Sequence, residues 1–293
     1  MDTTELAQSS DPTRDVPTRR ISFEESIARL PKHFAGDGNL FASHLIAMLS
    51  SVFPDGEDFF VRSVRHYRKR IGDPDLRRQV NGFIGQEAMH GREHRVLNDR
   101  LAELGYGTKR VERFTKWGLE LRTRKAPPIS NLASTAALEH FTATLAELVM
   151  RSPEIRHLIG HEAMLEVFEW HALEESEHKA VAFDVYKAVG GSERLRVWTM
   201  RFTRIGFVIG MGIQVLVSVL RDPASRERGR LRRDWKQIRK SPILSRKLWR
   251  QLKDYDRPDF HPDDSDTTQL VVEWREKLFG DAGRLNDKLT KAA

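Results

Sequence analysis

The chain has 293 residues, 39% of them hydrophobic and 31% charged, with a formal net charge of +7. That length and apolar content suffice for one core with helical appendages, and the charge suits long amphipathic helices with one wet face. There is no cysteine, which excludes disulfides and thiolate zinc sites and leaves any metal to His, Asp and Glu.

Residues 1–20, MDTTELAQSSDPTRDVPTRR, mix Pro, Ser, Thr and charge without an apolar period and read as a disordered tail. No apolar core follows a charged start there, so no secretory signal is visible and a cytoplasmic protein is expected. From Ile21 onward apolar residues recur at helical spacing. Gly and Pro punctuate the chain at AGDG (35–38), FPDG (53–56), GDPD (72–75), APPIS (126–130), RSPE (151–154) and VGGS (189–192). Between them the spacing predicts helices over 39–51, 55–70, 74–104, 109–124, 130–150, 155–189 and 193–220, then 232–253 and 266–290. Asp73 is placed to cap the third of these, and Pro74 fits its first turn. No run of alternating strands is present.

The chemistry sits in two stretches. GQEAMHGREH (85–94) places Glu87 three residues before His90, and EWHALEESEH (169–178) places Glu175 three before His178. Residues three apart on a helix share one side, so each pair can grip one cation. A lone Glu-x-x-His is a weak signal: Glu154 and His157 have the same spacing beside the RSPE turn and are given no metal role. The wider pattern raises its weight. Ferritin-like carboxylate proteins use two Glu-x-x-His helices and one Glu from each of two others. Here Glu57 lies thirty residues before Glu87, and Glu139 lies thirty-six before Glu175. Glu139 stands in an otherwise small and apolar helix, where an unpaired core carboxylate would be costly without a cation.

The pattern predicts Glu57, Glu87 and His90 around one ion and Glu139, Glu175 and His178 around a second, with Glu87 and Glu175 as bridges. His171 shares a face with Glu175 and His178 and is either a seventh ligand or a structural histidine. His94 is placed to orient a carboxylate or relay a proton. His140 points away from Glu139's face, and His44, His66, His157 and His161 are expected to be structural or exposed. Carboxylate and imidazole donors without sulfur suit two iron ions, with manganese or zinc as alternatives. Redox-active iron would activate dioxygen; a redox-silent pair would activate water for hydrolysis. The expected fold is an all-α, ferritin-like four-helix bundle over 21–192 with a helical extension over 193–293.

The motifs FPDGEDFF, GQEAMHGREHRVLN and WHALEESEHKAVAFDVY resemble the bacterial family labelled predicted metal-dependent hydrolases, from about Ile21 to beyond Trp198. The spacing of His171, Glu175 and His178 is also similar to that of ferritin-like di-iron oxygenases of the p-aminobenzoate N-oxygenase type. That second resemblance implies seven ligands: Glu57, Glu87, His90, Glu139, His171, Glu175 and His178. The leading expectation is a di-iron oxygenase acting with dioxygen on a small organic, lipid-like substrate. The alternative is a dinuclear hydrolase using the same residues, and a third reading is a non-enzymatic iron-binding protein. No flavin or nicotinamide fingerprint marks the electron donor.

The C-terminal third holds an apolar run, IGFVIGMGIQVLVSVL (205–220), followed by the basic stretch RDPASRERGRLRRDWKQIRK (221–240). The run is shorter than the roughly 20 residues a bilayer span needs. The first expectation is a helix buried all round or packed at a homodimer interface; the alternative is peripheral membrane contact through flanking arginines. No aromatic residues interleave with the basic ones as in a nucleic-acid module, so nucleic acid is not an expected partner.

Overall fold

The computed structural model describes residues 15–290. Its helices are α1 (Glu24–Ile27), α2 (Leu40–Tyr67), α3 (Pro74–Glu103), α4 (Thr108–Lys125), α5 (Pro128–Arg151) and α6 (Pro153–Ile159). They continue with α7 (Glu162–His178), α8 (Val181–Ala188), α9 (Glu193–Arg221), α10 (Arg230–Ile238), α11 (Arg246–Asp254) and α12 (Thr268–Phe279). Among the described residues the only extended pairing is a bridge between Ile21 and Leu289. The fold is the expected all-α bundle.

Cross-helix pairs fix the directions of its four long members. Ser50 meets Asn98 and Arg68 meets Asn81, so α2 and α3 are antiparallel. Gln86 meets His178 and His94 meets His171, so α3 and α7 are antiparallel. Ser63 meets Thr135, while Leu49 and Leu145 line one pocket, so α2 and α5 are antiparallel too. It follows that α3 and α5 run the same way, and the chain between them must travel back. Helix α4 does this, packed along α2. One long crossover is the ferritin-like connection.

Each bundle helix is apolar toward both ends of the core and polar between. One cluster gathers Ala47, Leu97, Ala146 and Leu173; the other gathers Phe59, Phe83, Leu132 and Phe183. Glu57, Glu87, Glu139 and Glu175 fall between these clusters on α2, α3, α5 and α7. The site is a polar layer closed off above and below by apolar packing.

Several boundaries differ from expectation. Pro54 does not end a helix; α2 runs through it. A proline frees the carbonyl four residues earlier. That carbonyl, Ser50 O, accepts from Asn98 Nδ2 at 3.1 Å, and Pro54 O accepts from Arg95. The expected helix 155–189 is three: α6 ends at Gly160, whose φ is 84°, and α7 restarts on its cap His161. A Cβ on Gly160 would stand 2.4–2.6 Å from the backbone of Phe34, Ala35 and Gly36, so only glycine fits. The expected 232–253 helix divides at Ser241 and Pro242, and 266–290 stays helical only to Phe279. The expected helix buried all round over 205–220 is not found: within that run only Ser218 and Val219 are buried.

The expected tail ends sooner than residue 20. Residues 1–14 lie outside the described residues, but residues 15–20 run as an extended strap across α3 and α7. Val16 is buried, and Gly82 and Gly85 admit the strap: a Cβ on either would stand about 2 Å from Val16 O or Thr18 Oγ1.

Gly160→Ala should destabilise the fold by about 1–3 kcal/mol, because it adds both strain and a backbone clash. Urea unfolding checks this, and an unchanged midpoint would contradict the packing described for the α6–α7 break.

Candidate metal centre

Seven side chains converge in the polar layer: Glu57, Glu87, His90, Glu139, His171, Glu175 and His178, none more than 4% exposed. Their donor atoms, with those of His94, form overlapping triads in which all atoms lie within 4.8 Å of one another: Glu57–Glu87–His90, Glu87–Glu175–His178, His90–His171–Glu175 and Glu57–His94–His171. His178 Nε2 stands 3.1 Å from Glu87 Oε1 and 3.4 Å from Glu139 Oε2. His171 Nε2 stands 2.8 Å from Glu175 Oε1 and 4.0 Å from Glu57 Oε1. Glu57, Glu87 and Glu175 each belong to two of these triads. Glu139 belongs to none and reaches the group through His178.

Both oxygens of Glu57, Glu87 and Glu139, one of Glu175, and the inward nitrogens of His90 and His178 are buried without a hydrogen-bond partner. Orphaned polar atoms in such number are expensive unless something else partners them. Oxygen and nitrogen donors suit a hard or borderline divalent cation, and the carboxylates balance its charge. The residues fit such an ion.

The outward nitrogen of each histidine is held. His90 Nε2 donates to Glu174 at 3.1 Å, which turns Nδ1 inward. Gln86 donates its amide to Pro17 O and Glu177, so its oxygen faces His178 Nδ1 at 2.7 Å and Nε2 turns inward. His171 is set by a longer chain. Asn98 Nδ2 is committed to Ser50 O, so Asn98 Oδ1 accepts from Ser50 Oγ at 2.7 Å. Ser50 Oγ therefore accepts from His94 Nδ1, His94 Nε2 accepts from His171 Nδ1 at 2.7 Å, and His171 Nε2 faces inward as a lone pair. Partners of this kind fix the tautomer and orientation of metal-binding histidines.

Arg19 closes the outer ring. It pairs with Glu174 at 2.9 Å and Glu177 at 2.7 Å, the carboxylates that hold His90 and, through Gln86, His178. Arg275 adds a second cation to Glu177. These outer residues escaped the sequence reading, and Arg19 lay in the expected tail. Their one visible signal is the EESEH run, where alternate carboxylates face the site and its surroundings. His94, expected to orient a carboxylate or relay a proton, instead meets the His171 imidazole at 2.7 Å.

Burial dominates the titration of the inner groups. It raises Glu57 well above the carboxylate range, reinforced by the charge of Glu87. Burial, with Glu87 nearby, pushes Glu139 up to about 8. Burial opposes charge on His90, but Glu174 and Glu87 outweigh it and raise the group to about 10. His178 is raised in the same way by Glu139, Glu175 and Glu87 against burial. Burial lowers His94 and, with the charge of His90, His171. Protons thus share the layer with the carboxylates wherever no cation does.

A second histidine group does not read as a metal centre. His33 and His44 meet Asp222 Oδ2 at 3.2 and 3.1 Å, but Lys32 Nζ reaches the same oxygen at 3.1 Å and supplies the cation. His66 and His157 are exposed, and His140 bonds Gln251 O.

Residues 17–266 match the family described as predicted metal-dependent hydrolase. The chain belongs to that family. The match spans most of the chain, including the strap that carries Arg19, all seven inward residues and the helices through α11. No curated protein and no solved structure matches the chain.

Metal binding should expel protons from Glu57, Glu139, His90 and His178, because all four are raised above their ordinary values. Affinity should therefore rise between about pH 6 and pH 8, and metal added to weakly buffered protein should acidify it. Calorimetry in buffers of different ionisation enthalpy measures this; binding without proton release would contradict the arrangement. Ser50→Ala should weaken metal affinity by about 10–100-fold by releasing His94 and His171. Chelator competition checks it, and an unchanged constant would remove Ser50 from the orienting chain.

Proposed function

We propose that this chain is a dinuclear metal-dependent hydrolase. The observation that carries the reading is the set of inward donor atoms, orphaned and buried, in a chain whose family is described by metal dependence. Glu57, His90 and His171 would hold one cation and His178 the other, with Glu87 and Glu175 between them. Two such cations would supply Lewis acidity and an activated water to the reaction.

The residues divide the remaining work. Glu87 and Glu175 set the separation of the two positions. Glu174, Gln86 and His94 hold the imidazoles so that their lone pairs stay inward. Glu139 lies outside the tight triads with both oxygens unpartnered, which leaves it free to take a proton from the attacking water at one oxygen. Its elevated pKa suits a group that both accepts and returns a proton near neutral pH. The apolar clusters on either side keep bulk water from the layer.

One observation favours a second reading, dioxygen activation by two irons. The pocket that opens on His171 and Glu175 is lined almost wholly by apolar side chains such as Leu45, Leu49, Phe53 and Phe168. Such a path suits an apolar gas and an apolar substrate.

Glu139→Gln should keep its metal and lose about 10²-fold or more in turnover, the scale of a lost general base. Loss of metal in this variant would instead make Glu139 a required ligand. The two reactions separate under nitrogen. Zinc- or manganese-loaded protein should hydrolyse members of an ester, amide and phosphoester panel without dioxygen. Inactivity there, with dioxygen consumed only by the ferrous protein, would overturn hydrolysis in favour of oxygenation.

A further inference from the structure

Helix α9 presents a surface that the bundle does not use. Phe202, Ile205, Ile209, Ile213 and Leu220 are each more than half exposed, and no charge interrupts 205–220. By length and composition α9 could cross a membrane, yet only 17% of its most apolar window is buried. It is not free to leave the bundle. Arg204 is tied to Leu252 O and Asp256 at one end of the apolar run, Ser218 meets His44 at 2.7 Å at the other, and Phe207 packs on Phe141 between. A helix fastened along its length to a soluble bundle can only lie flat on a bilayer.

Charge and aromatics surround this face. Residues 221–254, which include α10 and α11, hold thirteen Lys and Arg against four Asp and Glu; this net +9 exceeds the +7 of the whole chain and leaves the rest at −2. Trp198, Trp235 and Trp249 are 48%, 48% and 39% exposed at its margins, as amphipathic rings are at a headgroup boundary. A second copy of the chain would bring a second +9 against the first. An anionic bilayer brings the opposite sign.

Between α9 and the α10–α11 pair lies an apolar groove of about 700 Å³, with Val208 and Leu216 on one lip and Trp235 and Trp249 on the other. Its floor includes Leu45, Leu49, Leu145 and Ile243. The same four residues line the smaller pocket that reaches His171 and Glu175. The groove and the candidate metal centre are therefore divided by one shared wall of flexible aliphatic side chains.

We propose that the α9–α10–α11 face docks on an anionic lipid bilayer and that the groove admits a long acyl chain of that lipid, as substrate, to the centre at His171 and Glu175. The docking stands alone; the substrate assignment rests on the metal-centre reading above. Lipid in this sense is defined by two features on the surface, an anionic headgroup for the basic flanks and an apolar chain for the groove.

Vesicle flotation with the full chain tests docking. The protein should float with vesicles containing phosphatidylglycerol, release as salt is raised, and stay behind with pure phosphatidylcholine. Ile209→Glu with Ile213→Glu should lower the bound fraction by more than about tenfold, since both side chains are exposed and their loss leaves the core intact. Absence of flotation, with a dimer in size exclusion that this variant splits, would overturn the proposal and assign the face to a second copy. The acyl probe is cis-parinaric acid. Its fluorescence should rise with the wild type and not with Val208→Glu/Leu216→Glu; no uptake by the wild type would overturn the substrate assignment. Glu139→Ala should float as the wild type does. If metal content proves zero while flotation persists, the metal reading fails and docking stands.

Discussion

Four carboxylates buried within one bundle set the central constraint. Glu57, Glu87, Glu139 and Glu175 come from four different helices and stand close enough for mutual repulsion to shift their protonation. Such a group is tolerable only when protons or cations share it. Much of the surrounding structure answers that demand. Imidazoles alternate with the carboxylates, outer partners hold the imidazoles, and Arg19 and Arg275 neutralise the outer carboxylates in turn. Apolar clusters on both sides keep water from relaxing the charge.

The same demand explains features that look like defects in isolation. Pro54 interrupts the hydrogen bonding of α2, and the carbonyl it frees fixes Asn98, which through Ser50 and His94 fixes His171. An interruption in one helix thereby becomes the anchor of a tautomer on another. The N-terminal strap works similarly: it has no secondary structure, yet it delivers Arg19 to the carboxylates that hold His90 and His178. The fold ties local irregularity to the orientation of the inner groups.

The inner residues were legible in sequence because helical spacing and the order of two Glu-x-x-His pairs depend only on 3.6-residue periodicity. The four-helix placement of Glu57 and Glu139 followed from the same logic. What escaped was nonlocal. Nothing local marks Pro54 as a tolerated proline, because its compensating donor lies forty-four residues away in Asn98. Gly160 punctuates the expected 155–189 helix because the Phe34–Gly36 backbone passes against it, a contact no periodicity encodes. Arg19 sits in a stretch of tail-like composition and gains its order from partners on α7 and from Phe279 on α12. The exposed face of α9 reads by composition as a core helix; only the packing shows which side is covered.

Diffraction measured on both sides of the absorption edge of the co-purified metal tests the central claim most directly. The account predicts two anomalous peaks about 3.5–4 Å apart, between Glu87 and Glu175, with His90 and His178 bonded to different peaks and His171 beside the His90 peak. No peak in the layer, or a peak at Asp222 alone, would contradict it and leave the buried glutamates to be explained by protons.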